Sequence, residues 1–194
     1  MRGITGFSTF EPEIGSKWLE LLRETTPDLR RVAGLLDPGF AGFAGVWATI
    51  ERMAAGLTLD VSTIALRQDA DNIEPEVAAL AQQARSGLIV LPTAINNLRR
   101  DEIISLAARH RLPAVYPFRH FATGGRLMAY GFDTPDLFRR SASYVDRVLK
   151  GERHADLPVQ APVKYEFVIN FTRAKAHGFE IPPTLLARAD EVIE

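Results

Sequence analysis

Six residues lie at or just past the ends of apolar runs and carry groups that a small molecule could meet. Asp37 follows LRRVAGLL and opens the turn Asp37-Pro38-Gly39. Thr93 and Ala94 follow LIVLP, Tyr116 and Phe118 flank Pro117 after LPAV, and Tyr130 precedes Gly131. Each has two readings. Asp37 holds a ligand ammonium group, or it serves only the turn, which needs no ligand. The N–H groups of Thr93 and Ala94 face a ligand carboxylate, or Thr93 or Asn96 merely caps the next helix. Tyr116, Phe118 and Tyr130 stack on an aromatic or apolar ligand, or they pack at a sheet edge. A carboxylate, a hydroxyl, backbone N–H groups and aromatic faces together suit non-covalent binding in a small-molecule cleft.

Bond-making chemistry has little to work with. Cysteine is absent, which removes disulfides, thiolate nucleophiles and Cys-ligated metals. His110, His120, His154 and His177 are far apart, without ligand spacing, so no metal is expected. There is no Gly-x-Ser-x-Gly elbow, no phosphate loop and no evident nucleophile–base pair. Asp37 lacks the acidic pair and matching lysine of a receiver domain. Gly124-Gly125 lacks the continuation of a dinucleotide fingerprint and reads as a tight turn. Neither a cofactor nor catalysis is expected. Arg119 either meets an anionic ligand or is solvated, and Trp18 and Trp47 fall on apolar helix faces and read as core.

The elements that must position these groups alternate. Helical spacing runs over 14–24, 40–55, 73–84 and 97–110, the third capped by Asp71 or Asn72. Short apolar runs at 29–36, 59–66, 88–91, 112–116 and 127–130 read as buried strands. Strands that are apolar throughout and separated by helices predict an α/β fold: an open parallel sheet with helices on both faces. Ligands of such sheets gather outside the carboxyl ends of the strands. The six residues should therefore share one edge. The last third differs. A helix is predicted over 135–150, with Phe138, Ala142, Val145 and Leu149 as an apolar stripe and Leu137, Tyr144 and Val148 beside it. A polar connector over 152–163, a strand over 165–171, a short helix over 172–177 and a final helix over 184–193 follow.

The 194 residues suffice for about one domain. A hydrophobic content of 46 %, a charged content of 24 % and a formal charge of -1 are ordinary for a globular chain and argue against nucleic-acid binding. No segment reaches the roughly 20 apolar residues of a membrane span. The opening Met1-Arg2-Gly3-Ile4-Thr5 has no signal-peptide core.

The tail carries a resemblance. Gly-Gly-x-Leu-Met-x-Tyr-Gly over 124–131, Tyr-Val-Asp-x-Val-Leu-Lys-Gly over 144–151, Asp-Leu-Pro-Val from Asp156, Phe-Val-Ile-Asn over 167–170 and the ending from Ile181-Pro-Pro to Ile193 closely resemble the C-terminal end of the ABC-transporter substrate-binding proteins that include tryptophan-uptake binding proteins. Ile4-Thr5-Gly6-Phe7-Ser8 resembles the phrase by which that family's chain leaves its first lobe. The resemblance implies a periplasmic-binding-protein-like lobe with a flavodoxin-like strand arrangement. It further implies a small-molecule ligand such as an amino acid, an ABC permease as partner and a periplasmic location. A cytoplasmic location is expected instead if Met1 is the true start. Family members are longer and close two lobes over the ligand, so the chain is expected to match the second lobe, 1–131, and the tail, 132–194, that returns toward the first. The helix over 135–150 would then lack its bed, and its stripe is expected to be buried against a second copy or on the chain's own sheet. A self-associating structural or regulatory lobe that has lost its ligand is the alternative function.

Overall fold

Four of the five runs, at 29–36, 88–91, 112–116 and 127–130, have too few polar side chains to face water and become covered strands, whereas the run at 59–66 carries Asp60, Ser62 and Thr63 and is largely exposed at the sheet's edge. In the computed structural model, which describes residues 4–9, 11–67, 72–124, 127–176 and 178–194, the chain runs α1 (Ile14–Thr25), β1 (Arg31–Leu36), α2 (Ala44–Gly56), β2 (Asp60–Ala65), α3 (Glu74–Gln82), β3 (Ser86–Val90), α4 (Ala94–Leu98), α5 (Arg100–Arg109), β4 (Ala114–Tyr116), α6 (Arg119–Thr123), β5 (Met128–Phe132), α7 (Thr134–Leu149), β6 (Tyr165–Asn170), α8 (Phe171–Ala176), α9 (Pro183–Leu186) and β7 (Glu191–Ile193). The seven-stranded sheet has the order β2-β1-β3-β4-β5-β6-β7. Neighbours from β2 through β5 pair in parallel. The fold is thus the expected α/β sheet, with the flavodoxin-like order in its first five strands.

Strand alternation divides the core. Val32, Ile89 and Val115 point to the face covered by α1 and α2, where Trp18, Leu22 and Ile50 are buried. Ala33, Leu35, Leu88, Val90 and Tyr116 point to the face covered by α3, α5 and α6, where Val77, Ile103 and Phe121 are buried. Trp18 donates from Nε1 to the carbonyl of Tyr130 at 2.8 Å, which pins α1 to β5. The N-cap position of α3 falls on Ile73, without a side-chain cap, and Asn72 Oδ1 accepts from Glu74 N at 2.8 Å in the turn just ahead of the helix; Asp71 lies outside the described residues. The helix expected over 97–110 is two, α4 and α5, broken at Arg99.

The tail completes the same sheet. β6 pairs antiparallel to β5, and β7 pairs parallel to β6. Phe167, Val168, Ile169, Ala174 and Leu185 are buried with the rest of the core. One expectation needs correcting: the final helix over 184–193 is a single turn, α9, followed by strand β7. Asp190 explains the switch. Its N–H donates to Phe167 O at 2.8 Å and its Oδ2 accepts from Phe167 N at 2.7 Å, which delivers the β-branched Val192 and Ile193 to the sheet edge. The helix α7 differs from every other long helix. Only Tyr144 of its residues is buried, so the stripe does not fold onto the sheet.

Candidate functional site

The chain turns outward at the ends of β1 and β3, and the turn residues make a pocket of about 240 Å³ walled by Asp37, Phe40, Phe43, Trp47, Leu91 and Thr93 among others. Two of the six residues singled out in the sequence, Asp37 and Thr93, are therefore brought together. Asp37 Oδ1 accepts from Gly39 N at 2.8 Å. Asp37 thus serves the turn, as one of its two readings has it. Thr93 Oγ1 accepts from Asn96 N at 3.3 Å and caps α4. Asn96 is not the cap. Its Nδ2 donates to Leu35 O at 2.8 Å and Leu91 O at 2.7 Å, tying the ends of β1 and β3 at the pocket floor.

The aromatic walls were not singled out as site residues. Phe40 and Phe43 lie 5.4 Å apart, centroid to centroid, and Phe40 is 51 % exposed. Trp47, read from the sequence as core, is only partly buried and forms one wall. Its ring fits because residue 34 has no side chain: a Cβ there would stand 2.3 Å from Trp47 Cζ3. The signal was present in the Phe40, Phe43, Trp47 spacing directly after Asp-Pro-Gly, but helical spacing alone does not separate a pocket wall from core.

The other four residues fall elsewhere. Ala94 is exposed at the first turn of α4. Tyr116 is 2 % exposed and stacks on Phe121 at 5.3 Å, on the face away from the pocket. Phe118 packs edge-on against Phe132 at 5.7 Å. Tyr130 is on the pocket's face of the sheet but stacks on Tyr165 at 5.8 Å. Burial, then the neighbouring Tyr165 and Asp190, push its phenol above the ordinary range, so it stays neutral. Arg119 pairs with Glu191 and lies 3.9 Å from Glu166, joining α6 to the tail strands. Burial, chiefly, holds the Glu166 carboxyl above its usual range. Among the described residues no group of His, Asp and Glu could hold a metal ion, and no helix is long and apolar enough to cross a membrane. His177 and Gly125 lie outside the described residues.

A larger depression of about 450 Å³ opens at the amino-terminal end of the strands, between Glu24, Asp28, Pro113 and Pro182. The 240 Å³ pocket is the better candidate because it lies where open parallel sheets expose backbone and turn residues to ligands.

A sheet of this order with a pocket at its strand ends belongs to the periplasmic-binding-protein class of folds, and solved structures agree. A conserved domain protein from Vibrio cholerae matches at a TM-score of 0.87 and 24 % identity, over 97 % of this chain and 62 % of that one. The ABC domain from Streptococcus pneumoniae, solved in complex with L-Trp, matches at 0.85 and 23 %, over 97 % and 64 %. An ABC transporter solute-binding protein from Agrobacterium vitis with bound allitol matches at 0.60 and 12 %, over 88 % and 64 %. No curated protein matches the chain. The family model described as ABC transporter substrate binding protein matches residues 2–193; the chain belongs to that family of solute-binding proteins. It spans less than two thirds of the length of these solved relatives.

Proposed function

We propose that the chain binds a small organic solute, an amino acid or a close relative, non-covalently as part of an ABC import system, with a permease as the downstream partner and no chemistry performed on the ligand. The observation that carries this reading is the pairing of one carboxylate, Asp37, with three aromatic walls, Phe40, Phe43 and Trp47, in one pocket. A carboxylate meets an α-ammonium group, and rings accept an apolar or aromatic side chain. The L-Trp bound to the pneumococcal relative supports an amino acid of this kind. Periplasmic residence follows from the import role.

A pocket of 240 Å³ is smaller than the roughly 300–1,000 Å³ of an enclosing ligand site. It acts as one wall of a cleft, so the isolated chain binds weakly, with a dissociation constant near 1 mM, about −4 kcal/mol. Ligand-observed NMR titration with L-tryptophan, L-phenylalanine and a sugar alcohol tests the proposal. Saturable binding of an aromatic amino acid, lost in Asp37→Asn and weakened in Phe40→Ala, is expected. Binding of the sugar alcohol alone overturns the ligand class, and amino-acid binding unchanged in both variants overturns the site.

A further inference from the structure

Gly42 is not itself a wall of the 240 Å³ pocket, yet one of the walls stands on it. It lies exposed in the 3-10 turn Ala41–Phe43 between β1 and α2. A Cβ there would lie 2.5 Å from both Cε1 and Cζ of Phe40, so the Phe40 ring rests where a side chain of residue 42 would be. The φ of Gly42 is outside the left-handed range, and its backbone suits alanine as well as glycine. What the site uses is the missing side chain. Phe40 is held at its other end by its backbone: its N–H donates to Asp37 O at 3.1 Å, and Gly39 N donates to Asp37 Oδ1 at 2.8 Å. With the backbone fixed by that turn and the ring seated on Gly42, the ring lies tilted at 52° to that of Phe43 and faces the pocket that both line. Half of Phe40 is open to solvent, so a methyl group at residue 42 displaces the ring by a rotamer change and leaves the core alone.

We infer that Gly42 is a specificity-determining positioning residue: by seating the Phe40 ring at the pocket, it sets the preference for aromatic over aliphatic amino-acid side chains. The inference deepens the proposed amino-acid site and rests on it. Contact between a ligand ring and a well-placed protein ring adds about two- to twelvefold in affinity beyond the area covered, and only at suitable distance and tilt. An aliphatic side chain gains the area alone, which a displaced ring changes less. The two glycines beneath the rings thus differ in kind. Trp47 is fitted over Gly34 within the buried sheet, whereas Phe40 is fitted over Gly42 at the surface, where the wall moves without strain.

Ligand-observed NMR titrations of L-phenylalanine and L-leucine test this, with the wild-type chain, Gly42→Ala, Phe40→Ala and the double variant F40A/G42A. Gly42→Ala is expected to melt at the wild-type temperature or above it, since alanine replaces glycine on a backbone that it adopts. It is expected to weaken L-phenylalanine at least about threefold and L-leucine less than about twofold. The double variant is expected to bind L-phenylalanine no more weakly than Phe40→Ala, because Gly42 acts only through that ring. In the free wild-type protein a nuclear Overhauser contact between Gly42 Hα and the Phe40 ring protons is expected, and its absence overturns the inference without any ligand. A markedly lower melting temperature of Gly42→Ala gives the residue a structural role and overturns it as well. So does unchanged L-phenylalanine binding in Gly42→Ala, an equal loss for both amino acids, or a double variant weaker than Phe40→Ala. In those cases weakened binding in Phe40→Ala leaves the proposed site standing. A wild-type chain that binds neither amino acid overturns the site and the inference together.

Discussion

Gly34 shows how one missing side chain can shape a binding surface. It lies on β1, next to the edge strand β2, and is buried there; the Trp47 ring occupies the space that a methyl group would take. Gly34→Ala must push that ring outward into the pocket. We expect a loss of about 1–3 kcal/mol in stability from the overpacking, visible as a lower melting temperature. Abolished L-tryptophan binding is expected alongside, whereas a variant that keeps full binding would show that the pocket does not use this wall. Asp37 illustrates a second point at the same scale. One carboxylate oxygen closes the turn, and the proposed ligand contact calls on the other, so a role in the turn does not by itself exclude the proposed one.

Among the elements, α7 is the one whose start is fixed by charge. Asp133 Oδ1 accepts from Asp136 N at 2.9 Å, as an N-cap does, and Lys164 donates to Oδ2 at 2.6 Å. Those bonds, Lys164 first, hold the Asp133 carboxyl below its ordinary range. Its folded pKa is therefore lower than the unfolded value near 3.9. The stabilisation is complete above about pH 4 and disappears as pH falls through the folded value. Asp133→Ala is expected to cost about 1 kcal/mol at neutral pH, mainly through the cap, since the Lys164 partner is largely exposed. Urea titrations from neutral pH downward should show the gap between wild type and variant closing below about pH 4. A gap that stays constant with pH would mean that the carboxylate charge contributes nothing.

At the scale of the molecule, the tail is inseparable from the lobe. The chain from 164 onward supplies two strands of the seven and buries Phe167, Val168 and Ile169 beside β5. The division at residue 131 thus runs between hydrogen-bonded neighbours of one sheet. Calorimetry is expected to show one cooperative transition, with the calorimetric and van't Hoff enthalpies equal. Two resolved transitions would mean that the tail folds on its own. Only α7 and the connector after it stand off from this unit, and there the Phe7 and Gln160 backbones pair in parallel.

Much of this was legible in the residues. The apolar runs that became β1, β3, β4 and β5 set the parallel sheet, because such strands cannot face water on either side, while β2 pairs in parallel at the edge with most of its side chains exposed. The last strand was hidden, since Glu191-Val192-Ile193 is too short to show a period, and its pairing depends on Asp190 meeting Phe167 across 23 residues. The candidate site was half legible. Strand ends point to one edge in any such sheet, which gave Asp37 and Thr93. Which face each side chain takes depends on strand register, and that sent Tyr116 into the core and left Phe118 and Tyr130 packed among other rings. The sequence by itself determined the alternation of elements, the edge where ligands gather and the apolar stripe of α7. Only the tertiary structure decided that Trp47 lines the pocket and that the stripe stays uncovered, because both depend on which distant atoms fill the space beside them.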